Sequence, residues 1–127
     1  MKSKVVYITS DTAEIFILTA DGSQSTIMKK HGPRHPSEPD GKHQLKKNDD
    51  VEHFMHEVAT ALGKEDARVL LVGPAQAKTR LKTHIEDEHS HLAKNIVGVE
   101  TMDKATGPQI VAFARQYFTK MGVFEAI

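Results

Sequence analysis

The stretch RVLLVGPAQAKTRL, residues 68–81, decides the fold of this chain because it joins an apolar run to a helix-forming segment. The apolar run at 69–72 is continuous rather than alternating, which is typical of a parallel strand that is covered on both faces. Gly73 permits a tight turn, and Pro74 suits a first helical turn, where its missing N–H costs nothing. The stretch lacks the glycine spacing of the known phosphate-binding loops, so it predicts an α/β connection and gives such a loop little support.

The residues before this junction predict an antiparallel meander. Two β-branched runs at 5–9 and 15–19 are separated by a polar segment, which indicates a hairpin. Asp21-Gly22 is a two-residue turn signal that leads to a weaker third strand near 25–29. These three strands pair in sequence order.

Capping residues predict where two helices begin and end. Asp49 or Asp50 can cap a helix whose apolar residues recur at helical spacing until Gly63 ends it. Thr106 can cap the last helix, because Gln109 stands three residues later in the capping-box position.

The elements follow one another in the order β-β-β-α-β-α-β-α. This order predicts a single α/β domain over residues 1–127, in which the meander joins two parallel crossover units in one mixed five-stranded sheet. We expect the runs at 69–72 and 96–99 to be central, nearly solvent-free parallel strands with helices on both faces of the sheet.

The composition limits the class of protein. A chain of 127 residues with 39% hydrophobic and 27% charged residues is typical of a globular protein and has no run long enough to cross a membrane. It has no cysteine, which excludes disulfides and thiolate catalysis and fits a reducing cytoplasm. Seventeen basic and seventeen acidic residues balance, so attraction to RNA requires a local basic patch.

Three segments carry a resemblance to a known family. VGPAQAKT at Val72–Thr79, KNIVGVETMD at Lys94–Asp103 and the opening hairpin at 5–22 resemble small stand-alone bacterial proteins labelled translational machinery proteins. Those proteins are related to the middle domain of archaeal and eukaryotic class-1 release factors and of the ribosome-rescue factor Pelota. The resemblance implies a ribonuclease-H-like three-layer fold, which agrees with the order of elements found from periodicity, and a role in translation.

A long loop at 30–50 is predicted between the third strand and the first long helix. In release factors this connection carries a Gly-Gly-Gln tip, which is missing here, so the resemblance does not imply peptide release. Six positive and two negative residues between 29 and 47 give four net positive charges, which suits contacts with phosphates. A solvated, flexible loop without a partner is the alternative. The candidate nucleic-acid-binding residues in the loop and the second helix are Lys29, Lys30, Arg34, Lys42, Lys46, Lys47, Lys78, Arg80 and Lys82.

Eight histidines raise a metal hypothesis, although a site needs three or four convergent ligands. The weak candidates are His31, His35, His43, His53 and His56, and three more histidines, His84, His89 and His91, lie around the end of the second helix. The first-helix pair, His53 and His56, falls opposite the apolar face, so we expect it to be exposed. Solvated or phosphate-contacting histidines, with no resident cofactor, are the expectation.

No catalytic set is predicted. A nuclease of the ribonuclease-H type needs converging carboxylates, including one in the first strand, and the run at 5–9 contains none. The sequence therefore predicts a cytoplasmic, non-catalytic protein that binds the ribosome or tRNA. Two alternatives remain open: a histidine-dependent metallohydrolase, and a protein-interaction or dimerisation module without a nucleic-acid role.

Overall fold

The computed structural model describes residues 2–30 and 43–122, and only the backbone of residues 43–49. The strands are β1 (Lys2–Ile8), β2 (Thr12–Leu18), β3 (Ser23–Lys29), β4 (Ala67–Gly73) and β5 (Ile96–Thr101). The helices are α1 (His43–Leu62), α2 (Ala77–Glu88), α3 (Ser90–Ala93) and α4 (Gly107–Lys120).

The five strands form one mixed sheet in the order β3-β2-β1-β4-β5. The pairs β1–β2 and β2–β3 are antiparallel, and the pairs β1–β4 and β4–β5 are parallel. The predicted fold class is confirmed, including the meander and the two parallel connections. The short helix α3, between α2 and β5, is the one addition to the predicted order within the described residues.

Helices cover both faces of the sheet, so β4 is buried on each side. Val69 and Leu71 belong to the core on the side of α1 and α2, whereas Leu70 and Val72 belong to the core on the side of α4. All four side chains are fully buried, and burying each contributes about 1.5–3 kcal/mol. This confirms the expectation that residues 69–72 form a solvent-free central strand.

The expectation for the second parallel strand was wrong. β5 is an edge strand that pairs with β4, and its residues are half-buried or exposed. Helix α4 covers it on one face: a Cβ added at Gly98 would lie 2.1 Å from the Tyr117 hydroxyl oxygen, which donates a hydrogen bond to Glu100 at 3.4 Å. An apolar β-branched run does not distinguish a central strand from an edge strand with one covered face.

The start of α1 also differs from the prediction. The helix begins at His43, so Asp49 and Asp50 lie within it instead of capping it. Residues 43–50, predicted as the end of the long loop, are therefore helical, and residues 31–42 lie outside the described part of the chain. The physical reason is propensity, because the glutamine, leucine and lysines of this segment favour a helix as well as a polar loop.

The other helix ends follow the predicted signals in two cases out of three. Helix α1 ends before Gly63, as predicted, and the Thr106–Gln109 capping box at the start of α4 is present with hydrogen bonds of 2.9 and 3.3 Å. Pro74, in contrast, lies in the turn before α2, which begins at Ala77. Three residues, 74–76, form a bend between the end of β4 and the first residue of α2.

Candidate functional site

A groove of about 350 Å³ lies where the carboxyl ends of β1 and β4 meet the start of α2. Its polar lining comes from Thr9, Ser10, Lys30, Gln76 and Arg80, and we call this surface the basic groove. The carboxyl ends of neighbouring parallel strands are a common place for ligand sites in α/β folds, because the chain leaves the sheet there and opens a crevice.

Gly73 brings the two strand ends together beneath the basic groove. A Cβ at this position would lie 2.3 Å from the carbonyl oxygen of Ile8, a distance that real Cβ atoms essentially never show. The residue type is therefore fixed by packing between β1 and β4. Gly73 is the last residue of β4 and not part of a tight turn as predicted, because the chain bends after it, at residues 74–76.

Two cations and a helix start give the basic groove its charge. The Lys30 Nζ lies 3.7 Å from an Asp11 carboxylate oxygen, and the Lys30 backbone N–H donates to the Asp11 carbonyl at 2.7 Å. Arg80 is exposed and has no ion-pair partner among residues 2–30 and 50–122. Gln76 caps α2 without a side-chain hydrogen bond, so the first amide groups of the helix remain free of a side-chain cap. Free amides at a helix start and nearby cations both favour an anion such as phosphate.

The other predicted cations are distributed differently. Lys78 is buried, and its Nζ donates to the Ala75 carbonyl, so this side chain faces inward. Lys82 lies 3.8 Å from Glu86 in an exposed i,i+4 pair, and Lys29 is exposed at the end of β3. Two further candidates, Arg34 and Lys42, lie outside the described residues, and only the backbone of Lys46 and Lys47 is described.

Three histidines from different elements converge at the other end of α2. His56 lies on α1, His84 in the last turns of α2, and His89 at the junction of α2 and α3. One ring nitrogen from each residue lies within 4.8 Å of the others, and the ring centroids are 5.1–6.0 Å apart. We call these three residues the histidine cluster.

The main chain and a carboxylate fix the two less exposed members of the histidine cluster. The His89 N–H donates to the Ile85 carbonyl at 2.8 Å and ends α2. His84 Nδ1 lies 3.3 Å from a Glu52 carboxylate oxygen. Because a carboxylate can only accept, Nδ1 carries the proton, and in the neutral ring Nε2 then has a free lone pair. Burial and the neighbouring His84 and His56 hold the pKa of His89 below its usual range, which favours the neutral form of the His89 ring.

No pattern in the sequence brought these three histidines together. The pair predicted on α1 does not share a site: His53 and His56 are both exposed, as predicted, but His53 pairs with Glu57 at 3.7 Å and only His56 joins the cluster. His91 is exposed on α3. The remaining candidates, His31 and His35, lie outside the described residues, and His43 is described by its backbone alone.

One signal in the sequence could have pointed to two of the three histidines. His84 stands three residues after Leu81 and next to Ile85, both of which are fully buried, so it lies on the side of α2 that faces α1. His89 is five residues further on, at the helix end. Only the packing of α1 against α2 shows that His56 completes the group.

A second depression, of about 460 Å³, runs along α2. Gln76 and Arg80 line it at one end and also line the basic groove, whereas Glu52 and His84 line it at the other end. The basic groove and the histidine cluster are therefore neighbours along α2.

Comparisons with known proteins identify the fold. The chain is similar to the crystal structure of the archaeal translation termination factor aRF1, with a TM-score of 0.67, 15% identity and 94% of this chain covered. It is also similar to Pelota from Archaeoglobus fulgidus (TM-score 0.64, 16% identity, 96% covered) and from Thermoplasma acidophilum (0.61, 15%, 97%). The chain spans about a third of the length of each of these proteins. No family model and no curated protein matches the sequence.

None of the helices in the described residues is both long enough and apolar enough to cross a bilayer.

Proposed function

We propose that this protein is a non-catalytic, ribosome-associated binding protein that acts in translation in the cytoplasm and contacts RNA phosphates through the basic groove. The observation that carries the proposal is the similarity of nearly the whole chain to one third of a termination factor and of two Pelota proteins. The sequence motifs pointed to the same group of factors independently of the structural comparison.

The charges of the basic groove support RNA as the partner. Within residues 2–30 and 50–122, Arg80 is exposed and free of ion pairs, and Lys30 makes one long contact with an exposed carboxylate. When such cations contact phosphates, they release counterions from the nucleic acid, which makes binding depend on the salt concentration. Lys30, which lines the groove, is also one of the six cations that the sequence carries between residues 29 and 47.

A salt titration of ribosome binding tests the proposal. The double variant Lys30→Gln, Arg80→Gln removes two charges from the groove, and we expect its affinity for purified ribosomes or tRNA to fall. The slope of log affinity against log salt should decrease by about 1.4–1.8, because each phosphate contact contributes about 0.7–0.9. The matched control is Lys64→Gln, Lys120→Gln, which removes the same charge from exposed positions outside the groove.

Three outcomes would contradict the proposal. If the control lowers the slope as much as the groove variant, the effect belongs to overall charge and not to the groove. If the wild-type chain self-associates independently of salt and retains no RNA, the interaction-module alternative is favoured. If the chain hydrolyses phosphodiesters in the presence of zinc, the metallohydrolase alternative is favoured.

A further inference from the structure

The histidine cluster is separate from the groove and has the composition of a metal site. Neutral imidazole is a preferred ligand of zinc and related transition metals, and three imidazoles with one open position are a known zinc arrangement. His56, His84 and His89 provide one nitrogen each within 4.8 Å of one another; His56 lies on α1, and the other two lie at the C-terminal end of α2.

Two ring nitrogens in the cluster have an unmet bonding capacity. Nε2 of His84 and Nε2 of His89 are buried from solvent, and neither has a hydrogen-bond partner within the described residues. The His84 side chain as a whole is only 10% exposed. Buried polar atoms without a partner are rare in folded proteins, so each needs an explanation. A metal ion that accepts the lone pairs of both nitrogens would satisfy both atoms.

Glu52 supplies a feature that accompanies metal-binding histidines. Its carboxylate oxygen lies 3.3 Å from His84 Nδ1, on the ring nitrogen opposite the free Nε2. In zinc proteins, a carboxylate in this position fixes the tautomer and orientation of the ring and makes the ligating nitrogen more basic.

We propose that His56, His84 and His89 form a three-histidine site for a zinc ion, with Glu52 orienting His84. Tetrahedral zinc with Zn–N bonds of about 2.0–2.1 Å places its ligand nitrogens about 3.3 Å apart, so binding draws the three rings together. His56 is exposed and can close the site by side-chain rotation, whereas the backbone of His89 is held at the end of α2. The ion links α1 to the α2–α3 junction and leaves a fourth position for water or a partner group. This site does not depend on the proposed role in translation.

The test uses the full chain without a polyhistidine tag. Zinc content is measured after equilibration and dialysis, and Co²⁺ titration reports tetrahedral coordination through its visible absorption. We expect one zinc per wild-type chain and a tetrahedral Co²⁺ spectrum. His56→Ala should abolish both, and Glu52→Gln should weaken zinc binding by about 10–100-fold.

Two histidines provide matched controls. His53→Ala removes an exposed imidazole from the same helix, and His91→Ala removes one from α3. Both variants should retain one zinc and the wild-type spectrum. Because His56 is exposed, its substitution should leave the far-ultraviolet circular dichroism unchanged, so this variant carries the test even if changes at His84 or His89 unfold the chain.

The proposal is overturned if wild-type protein retains no zinc and gives no tetrahedral Co²⁺ spectrum. It is also overturned if His56→Ala, while folded, keeps the ion, or if His53→Ala or His91→Ala loses as much zinc as His56→Ala does. Loss of zinc in His56→Ala with unchanged ribosome binding would support the metal site and leave the proposed function standing, so the two proposals fail separately.

Discussion

The substitution Gly73→Ala tests the packing that creates the basic groove. The added Cβ would lie 2.3 Å from the Ile8 carbonyl oxygen, where at least 3.0 Å is needed, so the ends of β1 and β4 must separate by about 0.7 Å. The obstructing atom is backbone in a central strand, and the adjacent side chains of Val6 and Leu71 are fully buried. Little relaxation is available without opening the core.

We expect this change to cost about 3 kcal/mol of unfolding free energy, the upper end for overpacking, because the clash involves backbone and not a flexible side chain. For a chain of this size the melting temperature should fall by roughly 12 °C. Urea unfolding followed by circular dichroism measures this loss of unfolding free energy. The comparison holds if the slope of unfolding free energy against urea concentration, the m-value, is the same as in the wild type.

Gly22→Ala is the matched control for this measurement. No heavy atom lies within 4 Å of a Cβ at Gly22, and its backbone does not adopt a positive φ. Alanine at position 22 should leave the unfolding free energy unchanged or raise it by about 0.4–1 kcal/mol, because it reduces the conformational entropy of the unfolded chain. The packing argument is refuted if the unfolding free energy of Gly73→Ala lies within about 0.5 kcal/mol of the wild-type value. Substitutions at surface positions without packing constraints have effects of that size.

Two other changes probe electrostatics and capping. Lys4 is buried, and its Nζ lies 3.4 Å from a Glu65 carboxylate oxygen. Because Lys2 and Lys4 lower the pKa of Glu65 below its ordinary 4.5, the pair stabilises the fold above that pH and this contribution is lost as the pH falls through the lowered value. Glu65→Gln should therefore be destabilising at neutral pH, with a difference from wild type that shrinks in acid unfolding below about pH 4; a difference independent of pH would contradict this. Thr106→Ala should cost about 1 kcal/mol by removing the α4 cap, measured in urea against Thr119→Ala at an exposed position near the end of the same helix; equal effects would contradict the capping argument.

Much of the fold could be predicted because its signals are local. The continuous run at 69–72 indicated a strand covered on both faces, and the Thr106–Gln109 pair fixed the start of α4. The position of β5 at the sheet edge could not be predicted, since it depends on what pairs with it and not on its own residues. Likewise, the start of α1 at His43 follows from weak propensities, which the stronger capping signal at Asp49 concealed.

The candidate sites were predicted only in part, because both depend on distant segments. Lys30 and Arg80 were predicted as phosphate contacts and do line one groove, but the sequence could not show that Lys78, on the same helix, faces inward. The histidines were recognised as a group by composition. Their convergence requires α1 to pack against α2, so no spacing along the chain could have joined His56 to His84.

The central proposal is that the basic groove contacts RNA on the ribosome, and site-specific crosslinking tests it most directly. A photoreactive residue placed at Gln76, which is exposed in the groove, should crosslink to RNA when the chain is bound to ribosomes. The same residue at Gln116, exposed on α4 across the sheet, should not. Crosslinks to RNA from position 116 alone, or from neither position, would contradict the account.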